Sequence, residues 1–274
     1  MHPIAVLAAL TFKEAARKKI LWLALLIGLA FLAMVGVAQH YQTFRPTLAP
    51  FVRRQILNTQ FLIALYALNF LVLAMMVLTS VDTISGEISS GTIHAIATKP
   101  LRRWQLFIGK WLGFVGMLTI FLPSMAGGLA LVIHAVSGHS PYHLLRGLAL
   151  MWLESVLLVS ITFLFGTIFS TLTNGVIALG LHGLAFLGGW IEQFGSFTSS
   201  ERVTTIGVLA SIVMPSEALW RRAAYEMQSP LVGALGVTPF AIGATPSAAM
   251  VAYAALYTLV TLIVAVRLFE RRDL

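Results

Sequence analysis

Ionisable side chains are scarce in this 274-residue chain, where Asp, Glu, Lys and Arg make up 10%, so their placement carries information. One group lies between Val81 and Trp104: Asp82, Glu87, His94, Lys99, Arg102 and Arg103. Gly86 and Gly91 flank Glu87 and remove side-chain bulk, so a partner's backbone could come close to that carboxylate. A second candidate is Glu154, which sits alone in an apolar run eight residues past Arg146. At 1.5 Å per residue that places it about 12 Å along a helix. A carboxylate at such a depth is a functional hypothesis by default. It could meet a substrate cation or line a polar path. It could also hydrogen-bond a neighbouring helix or pair with Arg146. Asn69 and His182 are the other candidates for such a path, although polar groups of this kind more often serve as hydrogen bonds between helices. His134, His139 and His143 invite a metal reading, but Ser140-Pro141 breaks their helical spacing and no cysteine accompanies them, so no metal site is expected. Gly-x-Ser-x-Gly and His-Glu-x-x-His are absent. Gly109-Lys110 is followed by Trp111, so it is not a phosphate-binding loop.

The elements that must position these residues are membrane helices. The chain is 58% hydrophobic with a mean hydropathy of +0.89, against about 25% charged residues in a soluble domain. Its apolar runs are continuous and near twenty residues, whereas barrel strands alternate over roughly ten. The expected fold is all-α and polytopic, a single transmembrane domain over 1–274. Six spans are expected at 20–38, 60–80, 106–136, 144–169, 175–191 and 246–266. Residues 1–19 read as an interfacial helix, with Glu14 and Lys18 as an i,i+4 pair. Leu106–Val136 is too long for a straight crossing, and Pro123 predicts a kink or break. Residues 192–245 form an outer segment. Within it Val203–Met214 is too short to cross, Ser216–Gln228 opens on a capping-box pattern, and Leu231–Thr245 is broken by glycines and Pro239. These pieces read as re-entrant or interfacial.

Charge sets the orientation. With both termini inside, Lys13, Arg17, Lys18, Lys19, Lys99, Arg102, Arg103, Lys110, Arg267, Arg271 and Arg272 are inner, eleven in all. Seven arginines are outer, and all five lysines are inner, as positive-inside topology requires. That bias accounts for the formal charge of +8 without a nucleic-acid partner. The absence of cysteine excludes disulfides and Cys-ligated clusters.

Residues 81–104 form the one long polar interruption between spans on the inner side. Ile84, Ile88, Thr92, Ala95 and Ile96 recur on one helical face, and Pro100 ends the helix. Lys99, Pro100, Arg102 and Arg103 read as a membrane hinge at headgroup level. The whole reads as a lever fused to the second and third spans.

Asp82-x3-Gly86-Glu87-Ile88-x2-Gly91-Thr92-Ile93, then Lys99-Pro100-Leu101-Arg102-Arg103-Trp104, resembles the loop between spans two and three of ABC-2-type transporter permeases. Thr11-Phe-Lys-Glu-Ala-x-Arg17 resembles that family's connecting helix, Phe169–Asn174 its inner turn, and Met214–Arg221 its outer stretch before the last span. The resemblance covers nearly the whole chain. It implies a permease subunit, an exporter, paired with a second permease copy as a homodimer in the cytoplasmic membrane and in contact with lipid. ATP and Mg would bind on separate ATP-binding cassette subunits, and this chain would be neither an enzyme nor a cofactor carrier. Gly86, Glu87, Ser90, Gly91 and Thr92 would be coupling-helix contacts, and Glu14 and Arg17 would lie on the connecting helix. The competing expectation is a secondary carrier or intramembrane enzyme that works without an ATPase.

Overall fold

The computed structural model describes residues 3–43, 50–89, 102–198, 200–228 and 245–272. Within them the chain is helical: α1 (Pro3–Arg17), α2 (Lys19–Thr43), α3 (Pro50–Ser89), α4 (Arg103–Ser137), α5 (Leu144–Gly166), α6 (Thr171–Phe197), α7 (Glu201–Val213), α8 (Ser216–Met227) and α9 (Ala248–Arg271). Six of these, α2 to α6 and α9, are long and apolar enough to cross a membrane. The 18-residue apolar windows of α3 and α5 are 61% buried and that of α4 is 50% buried, against 22% for α2 and α9, so α3, α4 and α5 form the centre of the bundle. Phe107, Phe114 and Phe163 pack edge to face between α4 and α5, a geometry their ring quadrupoles favour. Trp111 and Trp152 donate across the same pair of helices to the hydroxyls of Ser160 (3.1 Å) and Thr119 (3.0 Å). Outward-facing Trp22, Leu26, Leu145 and Leu172 are exposed on the isolated chain, as a lipid-facing surface requires.

The helices run further than hydropathy alone suggests. α3 begins at Pro50 and continues past the second span to Ser89. The segment expected outside between spans one and two is therefore shortened at both ends, with Gln39 on α2 donating to Gln60 on α3 at 2.9 Å. α4 continues through Pro123 as one helix, where a break was an expected alternative. Buried Phe121, Leu122, Met125 and Ala126 surround the proline. Packing on neighbouring helices is what tolerates proline in a membrane helix.

α1 docks on the first half of α4, which offers a glycine groove. A methyl group at Gly113 would lie 2.8 Å from the Ala8 carbonyl oxygen and 2.7 Å from the Thr11 Cβ. One at Gly109 would lie 2.6 Å from the Leu7 Cβ. Small residues that let backbones approach are the usual device of membrane helix pairs. Gly113→Ala is expected to cost about 1–3 kcal/mol by overpacking, whereas Gly127→Ala meets nothing within 4 Å. Thermal unfolding in detergent should show a lowered midpoint for the first variant and none for the second.

The outer segment is a bent pair. α7 and α8 meet at 106° across Met214-Pro215. The capping box expected for α8 does not form, since Pro215 is the N-cap and makes no side-chain cap bond. The Ser216 hydroxyl instead meets His182 Nδ1 at 3.0 Å. The expected apolar piece 231–244 lies outside the described residues.

Candidate functional site

Two polar groupings stand out, one at an end of the bundle and one in its middle. The first collects the extension of α3, the start of α4, the turn between α5 and α6, and the end of α9. Lys18, at the break between α1 and α2, donates to Asp82 Oδ1 (2.6 Å) and to the Thr79 carbonyl (2.8 Å). The i,i+4 pair expected between Glu14 and Lys18 gives way to this one, because the chain turn at Lys18 aims its ammonium at α3. Glu87 forms an ion pair with Lys110 of α4, whose side chains are 20% and 7% exposed. Ser85 Oγ meets Thr171 Oγ1 at 2.8 Å, and Asn174 donates to the carbonyls of Val81 (3.2 Å) and Thr162 (2.9 Å). Arg103 donates to the carbonyls of Glu270 (3.3 Å) and Arg272 (2.6 Å), and Arg272 donates to the Thr167 carbonyl.

The candidate coupling residues fall unevenly on this end. Glu14 and Arg17 lie exposed on α1, and Gly86 and Glu87 lie on the last turns of α3. Gly86 keeps an open flank: the nearest atom to a methyl group there is the Asp82 Cβ, at 3.5 Å. Arg102 precedes α4, where its N–H is accepted by Gln105 Oε1 at 3.1 Å. Ser90, Gly91, Thr92, Lys99 and Pro100 lie outside the described residues. Lys110, counted from sequence among the inner positives, is buried and paired.

The second grouping lies among α3, α5, α6 and α8. Glu154 is fully buried and accepts from Asn69 Nδ2 at 3.0 Å. Arg146, its candidate partner, lies instead 3.8 Å from Glu226. Asn69 and His182 both line a cavity of about 520 Å³, with Tyr66, Phe70 and Phe186 as aromatic walls and Glu217 as its acidic group. Two of the three candidate path residues, Asn69 and Glu154, are therefore joined directly, and the third, His182, shares the cavity of Asn69. Sequence reasoning missed Tyr66 and Glu217. The signal for Glu217 was present, since it opens an otherwise apolar stretch at Pro215-Ser216-Glu217-Ala218-Leu219-Trp220. Beside it Arg221 donates to Glu192 through both Nη1 (2.6 Å) and Nη2 (2.7 Å). In the turn between α4 and α5, burial pushes His139 below the ordinary imidazole range. Its ring packs near Phe61.

The first grouping can transmit displacement, because α4, α6 and the junction between α1 and α2 are all tied to the extension of α3. The second can hold a polar or charged group within an apolar bundle. Residues 5–274 match the family model described as ABC-2 family transporter protein. No curated protein matches the chain.

Proposed function

The chain belongs to the ABC-2 family of transporter proteins, and from that premise we propose that it is the permease half of an exporter driven by ATP hydrolysed on separate subunits. The observation that carries this reading is the extension of α3. The helix continues past the second span to Ser89, packed at Ile84 and Ser85 and fastened by Lys18–Asp82 and Glu87–Lys110. Such an extension is a lever. A push on it tilts α3 and, through the Glu87–Lys110 pair, α4. The open flank at Gly86 supports docking there, with exposed Glu14 and Arg17 of α1 nearby as further contacts. Ser90, Gly91 and Thr92 complete the coupling contacts, and Lys99, Pro100, Arg102 and Arg103 form the hinge.

In this reading ATP and Mg bind to a cassette ATPase at the basic end, which faces the cytoplasm. A second copy of the chain completes the transporter as a homodimer in the cytoplasmic membrane, with lipid around its apolar faces. Nucleotide binding closes the ATPases, the levers move inward, and the two bundles tilt against each other to change access from one membrane face to the other. Affinity purification of the full chain in mild detergent tests this. An ATP-binding cassette subunit should copurify and hydrolyse Mg-ATP. Transport without any such subunit in a reconstituted vesicle would replace this reading with a secondary carrier.

A further inference from the structure

The cavity among α3, α6 and α8 has a chemistry of its own. Its volume of about 520 Å³ lies within the roughly 300–1,000 Å³ of small-molecule sites. Tyr66, Phe70 and Phe186 supply aromatic faces, and Glu217 supplies a carboxylate. Among the described residues neither Lys nor Arg lines it. Tyr66 stacks on Phe186 with centroids 6.0 Å apart and tilts against Trp220 at 5.0 Å, so the aromatic wall is held in place from behind.

Acidic character is built in beyond the lining. Glu154 lies behind Asn69, from which it accepts a hydrogen bond, and Glu217 is close enough to act on it electrostatically. The Arg221 guanidinium acts on Glu217, yet its fork is occupied by Glu192. Two carboxyls, Glu192 and Glu217, therefore share one arginine. A separate observation points to a ligand. Asn69 is 3% exposed and lines the cavity, and its Oδ1 has no hydrogen-bond partner among the described residues. Glu154 Oε1 has none either. Buried polar atoms are normally paired, and carboxylates in an apolar bundle are costly without a cation.

We propose that this cavity binds a monovalent organic cation with an apolar body, such as an aromatic ammonium compound. The cationic head would meet Glu217 and the ring faces, where cation–π attraction strengthens on desolvation, and the body would lie along Leu179 and Phe70. His182 does not compete for Glu217, because its Nδ1 is engaged with Ser216. The proposal rests on the transporter reading only in calling the ligand a substrate, since binding requires no ATPase.

The test is equilibrium dialysis of radiolabelled benzyltrimethylammonium against the purified full chain in non-ionic detergent, with empty micelles subtracted. Saturable binding is expected. Glu217→Gln should weaken it by roughly tenfold or more, the scale of a lost charge-assisted contact, and Glu217→Asp should recover part of it. Should Glu217→Gln aggregate, Phe70→Leu reads the same site, because that ring is 62% exposed and its loss leaves the core intact. Neopentylbenzene, the neutral isostere, should fail to compete. Absence of saturable binding overturns the proposal, as does binding indifferent to both substitutions or equal competition by the isostere, which marks an apolar pocket or a lipid-chain site. A chain that recruits an ATPase but binds no cation loses this proposal alone. A chain that binds the cation but recruits no ATPase keeps the cavity and loses the ATP-driven reading.

Discussion

Glu87→Ala is expected to uncouple ATP turnover from transport and to loosen the lever at the same time. The substitution leaves the Lys110 ammonium, whose side chain is 7% exposed, without its carboxylate. Breaking a buried pair on one side costs about 3–5 kcal/mol, because the remaining charge is uncompensated. Two consequences can be separated. The midpoint of thermal unfolding should fall, and Glu87→Gln combined with Lys110→Met should restore most of it, since exchanging both partners removes the stranded charge. Transport per ATP hydrolysed, measured in proteoliposomes with the ATPase present, should stay low in both variants. The pair is what joins the extension of α3 to α4, and neither variant rebuilds it. Full coupling in Glu87→Ala would remove the pair from the transmission path.

Arg221→Ala is expected to cause a loss of folded protein as large as that of Glu87→Ala. Arg221 is 4% exposed and fills both oxygens of Glu192, joining α8 to α6. The site cannot relax around a missing guanidinium, because α6 and α7 already touch backbone to backbone. A methyl group at Gly207 would lie 2.6 Å from both the Glu192 nitrogen and the Gly188 carbonyl oxygen. The expected cost is again about 3–5 kcal/mol, read as a collapse of the monodisperse peak in size-exclusion chromatography. Arg221→Lys should recover only part, since a lysine cannot present the two-pronged fork. Arg146→Ala is the matched control. Its side chain is 71% exposed and lies 3.8 Å from Glu226, and exposed pairs are worth about 0–1 kcal/mol. Equal losses in the two variants would show that the buried fork contributes no more than a surface contact.

Much of the architecture is legible in the sequence because hydropathy is a local property. Six apolar runs announce six membrane helices, and Val203–Met214 announces by its length a helix that does not cross alone. The long-range pairings are not legible. Lys18 reads as the partner of Glu14 four residues away, yet it reaches Asp82. Lys110 reads as one more positive charge of the inner face, yet it pairs with Glu87 across α3 and α4. In both cases a chain turn or a helix packing angle chooses the partner, and residue spacing within one helix carries no record of it. The same limit hid the cavity. Asn69, Glu154 and His182 each look like solitary polar residues in a span. Only the packing of α3 on α5 and α6 brings Asn69 to Glu154 and sets Tyr66 opposite Glu217. The continuation of α3 to Ser89 was obscured for a different reason. Polar Asp82 and Glu87 end the hydropathy signal at the membrane surface, whereas the helix itself is carried on by its pairing with α1 and α4.

The central claim, that the end of the bundle carrying the α3 extension receives an ATP-binding subunit, is tested most directly by site-directed cross-linking. The chain has no cysteine, so each introduced thiol is unique. Ser89→Cys and Glu14→Cys place exposed thiols at that end, and Ser140→Cys places one at the opposite end, between α4 and α5. With a short thiol-specific photo-cross-linker and the copurified ATPase, adducts should form from Ser89→Cys and Glu14→Cys and not from Ser140→Cys. Adducts from Ser140→Cys, or none from the other two in an intact complex, would contradict the account.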